Sequence, residues 1–500
     1  MAERPILIRC KPGIQRDGTR FDADAYLDGL WTRFDRGRPR KMGGYRAITA
    51  DLAERVYGMH VFAQNALQYL HLGSESLFQQ VLINNSGSYA GLNDRTPAGL
   101  VVDPNNNWQI DALPNAVATT SSIIGHAAPN LDDITDSAET SIYYNADIAG
   151  AGILVNTGLD QVSGGICVVG PYLFSYGNAG FIAYTNPNDP TTPNVTARVT
   201  AQKVVKGMSI RGGGSGPSAL FWSLDALIRA TFTAGTPEFA FDTLSEITIM
   251  SSRSVVDYDG IQYWWGIDRP MMFNGVVQEV PNTFNIDFFL DNFDFSRRQE
   301  VFAFKYPRFG EIWWCFPMGN TFQAVIYNVR QRLWYDTLIP GEGRTSGIFA
   351  TVYGKPFLTD RGLTPAHGYA LWQHETGTDQ VLGTSVEPVP AHFETSDFSL
   401  LNSEDPSNKV LRIARIEPDF VQTGDMQVQI SGNANARSAD VLSDAVSFVD
   451  EATNAAEQLV QFKTSRRQLR FKFSSNTPGG NFFMGKCIAH VDQAEERVTQ

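Results

Sequence analysis

The chain has 500 residues, 43% of them apolar and 19% charged, with 32 Phe, 17 Tyr and 9 Trp, a composition that supplies packed cores and excludes a disordered chain. Its formal net charge of -13 excludes a general nucleic-acid binder, because affinity for duplexes comes from clustered Lys and Arg that displace counterions. At ~100 to 200 residues per domain, the length predicts two to four units or one large repeated architecture.

The opening MAERPILIRCKPG carries charges and prolines where a secretory signal needs an uninterrupted apolar core. No run approaches the ~20 apolar residues that span a bilayer, so synthesis in a cytoplasm is expected. Residues 1-50 read as an N-terminal β-arm. Within it RFDRGRPRKMGGYR, residues 33 to 46, sets six basic side chains against one acid. The stretch lacks the G-x-x-x-x-G-K-[ST] spacing that wraps backbone N–H groups around a phosphate. Gly37, Pro39, Gly43 and Gly44 interrupt a helix, while Trp31, Phe34 and Tyr45 suit strands, so two short strands joined by a turn are predicted. Three uses are open to Arg33, Arg36, Arg38, Arg40 and Lys41: a solvated surface, an acidic face on another protein, or DNA phosphates.

Residues 51-383 carry a repeat. A turn glycine is followed by an aromatic or apolar run, then a second turn and another run: GPYLFSYG from Gly170, GPSALFWSL from Gly216, GIQYWWGI from Gly260, GEIWWCFP from Gly310 and GKPFLTD from Gly354. The intervals are 46, 44, 50 and 44 residues. NALQYLHLGSESLFQQV from Asn65 has the same strand-turn-strand shape, and NWQIDALPNAVATT from Asn107 starts another unit. Strand repeats of roughly 40 to 50 residues are the signature of β-propeller blades, small antiparallel sheets whose faces are buried only by stacking on neighbours. The Trp264-Trp265 and Trp313-Trp314 pairs stand 49 residues apart. Strand alternation sends one ring of each pair to each face, which makes them blade core; a stacking platform for sugars or bases is the alternative.

One helix is predicted in NIDFFLDNFDFSRR, with Asn285 as N-cap and Ile286, Phe289, Leu290 and Phe293 on one face. Asp287, Asp291 and Asp294 fall on the other and read as its wet side, with a cation site as the competing use. Residues 384-500 alternate apolar and polar positions in KVLRIARIEPDFV, DMQVQISG, RRQLRFKFSS and NFFMGKCIAHV, predicting a C-terminal antiparallel sheet or sandwich with Leu469, Phe471 and Phe473 facing inward. The stretch from Ser438 to Val460 suits a helix by composition and a loop by position.

Motifs for chemistry are sparse. His60, His71, His126, His367, His374, His392 and His490 form neither H-E-x-x-H nor an H-x-x-x-H pair. Cys10, Cys167, Cys315 and Cys487 are too dispersed for a C-x-x-C motif and read as buried thiols. RGGGSGP at 211 to 217 resembles a nucleophile elbow, yet Pro217 replaces its last glycine, so a connecting loop is expected around Ser215. VVDYDGIQYWW approaches the S-x-D-x-G-x-x-W box of sialidase-like propellers, but Asp259 directly precedes Gly260 and Val255 replaces the hydroxyl residue. No catalytic residue, metal or cofactor is expected. A glycan-binding propeller or glycosidase is the alternative, since paired carboxylates can come from anywhere in a fold.

Three segments, KPGIQRDGTRFDADAYLDGLWTRFDRGRPRKMGGYR, FNIDFFLDNFDFSRRQEVFAFKYPRFGEIWWCFP and RRQLRFKFSSNTPGGNFFMGKCIAHVD, together resemble the tail hub or nozzle proteins of short-tailed bacteriophages. The resemblance implies a virion tail protein made in the host cytoplasm, an all-β chain in which a propeller joins a tube-forming β-rich region. It further implies a homohexameric ring below the portal and its adaptor, conducting double-stranded DNA without sequence specificity and retaining it after packaging. Six copies at -13 would carry about -78, a charge suited to DNA that slides without being gripped. On this reading Arg33, Arg36, Arg38, Arg40 and Lys41 meet acidic surface on a neighbouring subunit or the adaptor, with lumen DNA as the second choice.

Overall fold

The computed structural model describes residues 4–20, 22–64, 67–100, 107–115, 120–128, 142–211, 216–339, 341, 343–362, 368–399, 410–435, 438–450 and 459–494. Strands dominate. Six sheets each run antiparallel through four consecutive strands, starting at Val56–Gln64, Asn107–Pro114, Gly165–Val169, Val204–Ile210, Val256–Tyr258 and Phe302–Tyr306. A seventh begins with Arg344–Ala350, Lys355–Asp360 and Tyr369–His374, and its fourth strand is Tyr45–Leu52, from the other end of the chain. A hairpin, Asp379–Leu382 with Ser385–Pro388, extends this last sheet.

The repeated glycine-aromatic runs form the second strands of the third to seventh sheets: Tyr172–Tyr176, Ser218–Ser223, Ile261–Trp265, Glu311–Met318 and Lys355–Asp360. Alternation along these strands builds a core on each side. In Glu311–Met318, Ile312, Trp314 and Phe316 pack with Trp265 of the fifth sheet, while Trp313 and Cys315 pack on the opposite side with Leu358 and Trp372 of the seventh. Trp264 faces away from Trp265, meeting Trp222 of the fourth sheet at 5.5 Å. Trp264, Trp265, Trp313 and Trp314 are 0, 0, 5 and 1% exposed. Close approach is local and specific: Trp108 of the second sheet lies over Gly73 of the first, where a Cβ would come within 2.2 Å of the indole.

Each sheet shares an apolar core with the next, and the seventh shares one with the first through Leu371, Phe357, Leu70 and Leu72. First strands follow the same succession, with Asn107–Pro114 beside both Val56–Gln64 and Gly165–Val169, and Arg344–Ala350 beside both Phe302–Tyr306 and Val56–Gln64. The order thus returns to its start.

Of residues 1-50, read from the sequence as an arm, three described strands pair with the C-terminal part. Arg4–Leu7 pairs with Ile488–Ala494, Asp28–Leu30 with Ala391–Glu394, and Arg38–Lys41 with Asn481–Met484. Each contact places an N-terminal strand in a different sheet of the region after residue 384. The boundary at residue 50 falls inside Tyr45–Leu52, and the one at 383 falls in the turn of the hairpin that continues the seventh sheet. Leu469, Phe471 and Phe473 are fully buried in this C-terminal core. Of Ser438 to Val460, Val441–Leu442 and Val446–Phe448 are short strands, and 451–458 lie outside the described residues.

The predicted helix is shorter than its apolar period. It spans Ile286–Asn292; Phe293 leaves helical geometry at φ -85, ψ 129, so Asp294 is not on the face of Asp287 and Asp291. Asp294 instead caps the following 3-10 turn by accepting from Ser296 N. Asn285 provides no side-chain cap; its amide donates to Asp336 at 3.3 Å. The cap comes from the N-terminal region, where Asp17 accepts from the backbone N–H groups of Asp287 at 3.0 Å and Phe288 at 2.8 Å.

Candidate functional site

The basic stretch forms a hairpin of Thr32–Asp35 and Arg38–Lys41, in register Asp35 opposite Arg38. Its two-residue turn has φ 52 at Arg36 and φ 76 at Gly37, the primed geometry whose twist matches paired strands. The five cations of this stretch have different fates: Arg33 and Lys41, on opposite faces of the hairpin, are both buried, whereas Arg36, Arg38 and Arg40 are not.

Arg33 points inward and is 1% exposed. Its Nε donates to Glu311 Oε1 at 2.8 Å and its Nη1 to Glu375 Oε2 at 2.9 Å, so one guanidinium joins the sixth sheet to the end of the seventh. Phe309 lies 4.0 Å from its Cζ, and Glu311 also accepts from Trp313 Nε1 and Tyr335 OH. Burial opposes the charge on Arg33, but Glu311 and Glu375 outweigh it and hold the guanidinium protonated. Lys41 is likewise inside, its Nζ donating to Gly480 O at 2.7 Å, and burial lowers its pKa to about 8. The expectation that Arg33 and Lys41 reach another molecule is therefore corrected: their partners are in the same chain. Arg40 is half-buried and paired with Asp35 at 2.9 Å.

Arg36 and Arg38 remain. Arg36 stands exposed at the turn, and Arg38 lines a cleft of about 240 Å³ with Arg9, Lys486, Tyr26 and Met484. Among the described residues no carboxylate lies within 4 Å of Arg9, Arg36, Arg38 or Lys486. Arg9, Arg38 and Lys486 line one cleft with Gly37, and Arg36 stands beside it at the turn; together they form an outward basic surface. Arg9 and Lys486 carried no local signal, since only the pairing of Arg4–Leu7 with Ile488–Ala494 brings the two ends together.

The histidines described elsewhere have partners or burial within the fold. His71 and His126 sit against the carbonyls of Ile148 and Val162, and burial keeps both below the usual histidine range, His126 at about 4. His60 is shifted down by the same cause, as is His374, whose Nε2 accepts from Arg344. His392 pairs with Asp28, and His490 with Glu417. Asp259 and Gly260, with φ 53 and 84, are the hairpin turn between Tyr258 and Ile261, which accounts for the Asp-Gly order in that motif. Cys167, Cys315 and Cys487 are buried thiols, and Cys10 is half-buried. Asp287, Asp291 and Asp294 are exposed, and among the described residues no group of three His, Cys, Asp or Glu is placed to hold a metal ion. His367 and Ser215 lie outside the described residues. No helix among the described residues is long and apolar enough to cross a membrane. No protein-family model matches the chain, and no curated protein sequence matches it.

Proposed function

We propose that the chain is a structural subunit of a short bacteriophage tail, a seven-bladed β-propeller whose N- and C-terminal strands build a joint platform for assembly into a homohexameric hub or nozzle ring. The propeller reading is supported by seven sheets of repeated topology sharing cores in a succession that returns to the first, with an N-terminal strand completing the last. The virion reading rests on the resemblance of the N-terminal, central and C-terminal segments to tail hub and nozzle proteins. In that setting the ring lies below the portal and adaptor, conducts double-stranded DNA, and retains it after packaging. The chain acts by assembly, with no substrate turned over.

The observation that carries the assembly role is the surface of Arg9, Arg36, Arg38 and Lys486, cations without a carboxylate partner among the described residues, on a chain of net charge -13. Such a patch steers encounter with an acidic face and fixes register. Reversing charge at Arg36 and Arg38 together is expected to weaken ring formation or docking, seen by sedimentation and electron microscopy, while leaving thermal unfolding unchanged. Intact assembly together with lost, salt-dependent duplex binding would transfer the patch to DNA and refute the reading.

A further inference from the structure

The first strands of six of the seven sheets converge on a cavity of about 340 Å³. Its lining includes Lys206, Arg253 and Lys305 but only one carboxylate, Asp257. The excess of positive charge is local, in a chain that is acidic overall.

The three cations are poorly compensated. Arg253 spends its Nη groups on backbone carbonyls, of Thr345 at 2.7 Å, Tyr57 at 3.2 Å and Gln299 at 2.8 Å, and its buried Nε–H has no acceptor among the described residues. No carboxylate lies within 4 Å of its guanidinium or of Lys206 Nζ among those residues. Lys305 donates to the carbonyl of Asp257 at 2.7 Å, with the Asp257 carboxylate at 3.8 Å. The Asp111 carboxylate lies outside the lining, accepts from the N–H groups of Ala112 and Val168 at 2.8 Å, and offsets only part of the Lys206 charge. Buried cations with too little counter-charge are costly, and an anion that enters the cavity recovers part of that cost. Burial accordingly lowers the pKa of Arg253 to about 10 and shifts Lys206 downward.

We propose that this cavity binds a small, multivalent oxyanion of the phosphate class, with Lys206, Arg253 and Lys305 as its ligands. The volume matches a small-molecule site, far below what a nucleic-acid duplex needs, and two positive charges beyond Asp257 match a divalent or higher anion. Lys and Arg together supply the donors that phosphate oxygens accept.

Isothermal titration of the full chain with pyrophosphate at fixed ionic strength tests this. One site per chain is expected, weakened at least about tenfold by Lys206→Met and strengthened by Asp257→Asn, which removes the opposing charge. Asp257→Asn also keeps the proposal falsifiable should Lys206→Met fail to fold. Absence of binding, equal binding to wild type and Lys206→Met, or unchanged or weaker binding to Asp257→Asn would overturn it. Displacement of pyrophosphate by a short DNA duplex would place the anion on an outer surface and overturn it equally.

Discussion

Replacing Arg33 by Met removes the cation between Glu311 and Glu375, and its contact with the Phe309 ring, while keeping an unbranched apolar stem in its place. The side chains of Arg33, Glu311 and Glu375 are 1, 0 and 10% exposed, so two carboxylates are left in a site that water barely reaches. Breaking such a buried set costs about 3 to 5 kcal/mol, most of it the penalty on the charges left behind. The second substitution decides the cause. Glu311→Gln in the same chain removes the more deeply buried of the two orphan charges; its amide oxygen still accepts from Trp313 Nε1 and its amide N–H donates to the Tyr335 hydroxyl oxygen, so it is expected to restore at least half of the loss. Urea unfolding followed by tryptophan fluorescence reports on it directly, because Trp31 and Trp313 meet at 6.1 Å beside the site. The single variant should also recover as pH falls, since a stranded carboxyl takes up a proton in the folded state before the unfolded one. A cost below about 1 kcal/mol for Arg33→Met, or a further loss on adding Glu311→Gln, would refute the reasoning.

Lys41 titrates at about 8 in the fold and near 10.5 when unfolded, so between these values the unfolded chain binds the extra proton and stability rises with pH. Lys41→Met should lose that rise, about 3 kcal/mol over the interval, when urea midpoints are compared from pH 7 to pH 10.5. Trp265 packs 4.4 Å from Phe289 and its Nε1 has no acceptor among the described residues, so Trp265→Phe should cost under about 1.5 kcal/mol and Trp265→Ala about 3 to 5 by equilibrium unfolding. Trp314→Phe should cost more than Trp265→Phe, because the Trp314 indole donates to Ser254 O.

The repeated second strands were legible because their signals are local: Gly170, Gly260, Gly310 and Gly354 all adopt positive φ at the turn before the aromatic run. The hairpin at Arg36-Gly37 was legible for the same reason. Its electrostatics were not, since a string of basic residues gives no hint that Glu311 and Glu375 wait hundreds of residues away. The helix ends before its apolar pattern does. That spacing continues through Phe293, but the Phe293 ring stacks on Phe289 from an extended backbone that side-chain period cannot reveal. Strand partners from opposite chain ends, such as Tyr45–Leu52 with Tyr369–His374, are set by long-range packing and leave no trace in local spacing.

That last pairing has a consequence for synthesis. Tyr45–Leu52 leaves the ribosome early, yet its partner Tyr369–His374 follows about 320 residues later, on the order of twenty seconds to a minute at ordinary translation speeds. Throughout that delay one strand offers open hydrogen-bonding edges with nothing of its own to join. In a crowded polysome a copy whose Tyr369–His374 is not yet paired presents the complementary edge, so exchange of this strand between copies is the expected misassembly, and the yield of correctly paired monomers is expected to fall as expression is driven faster.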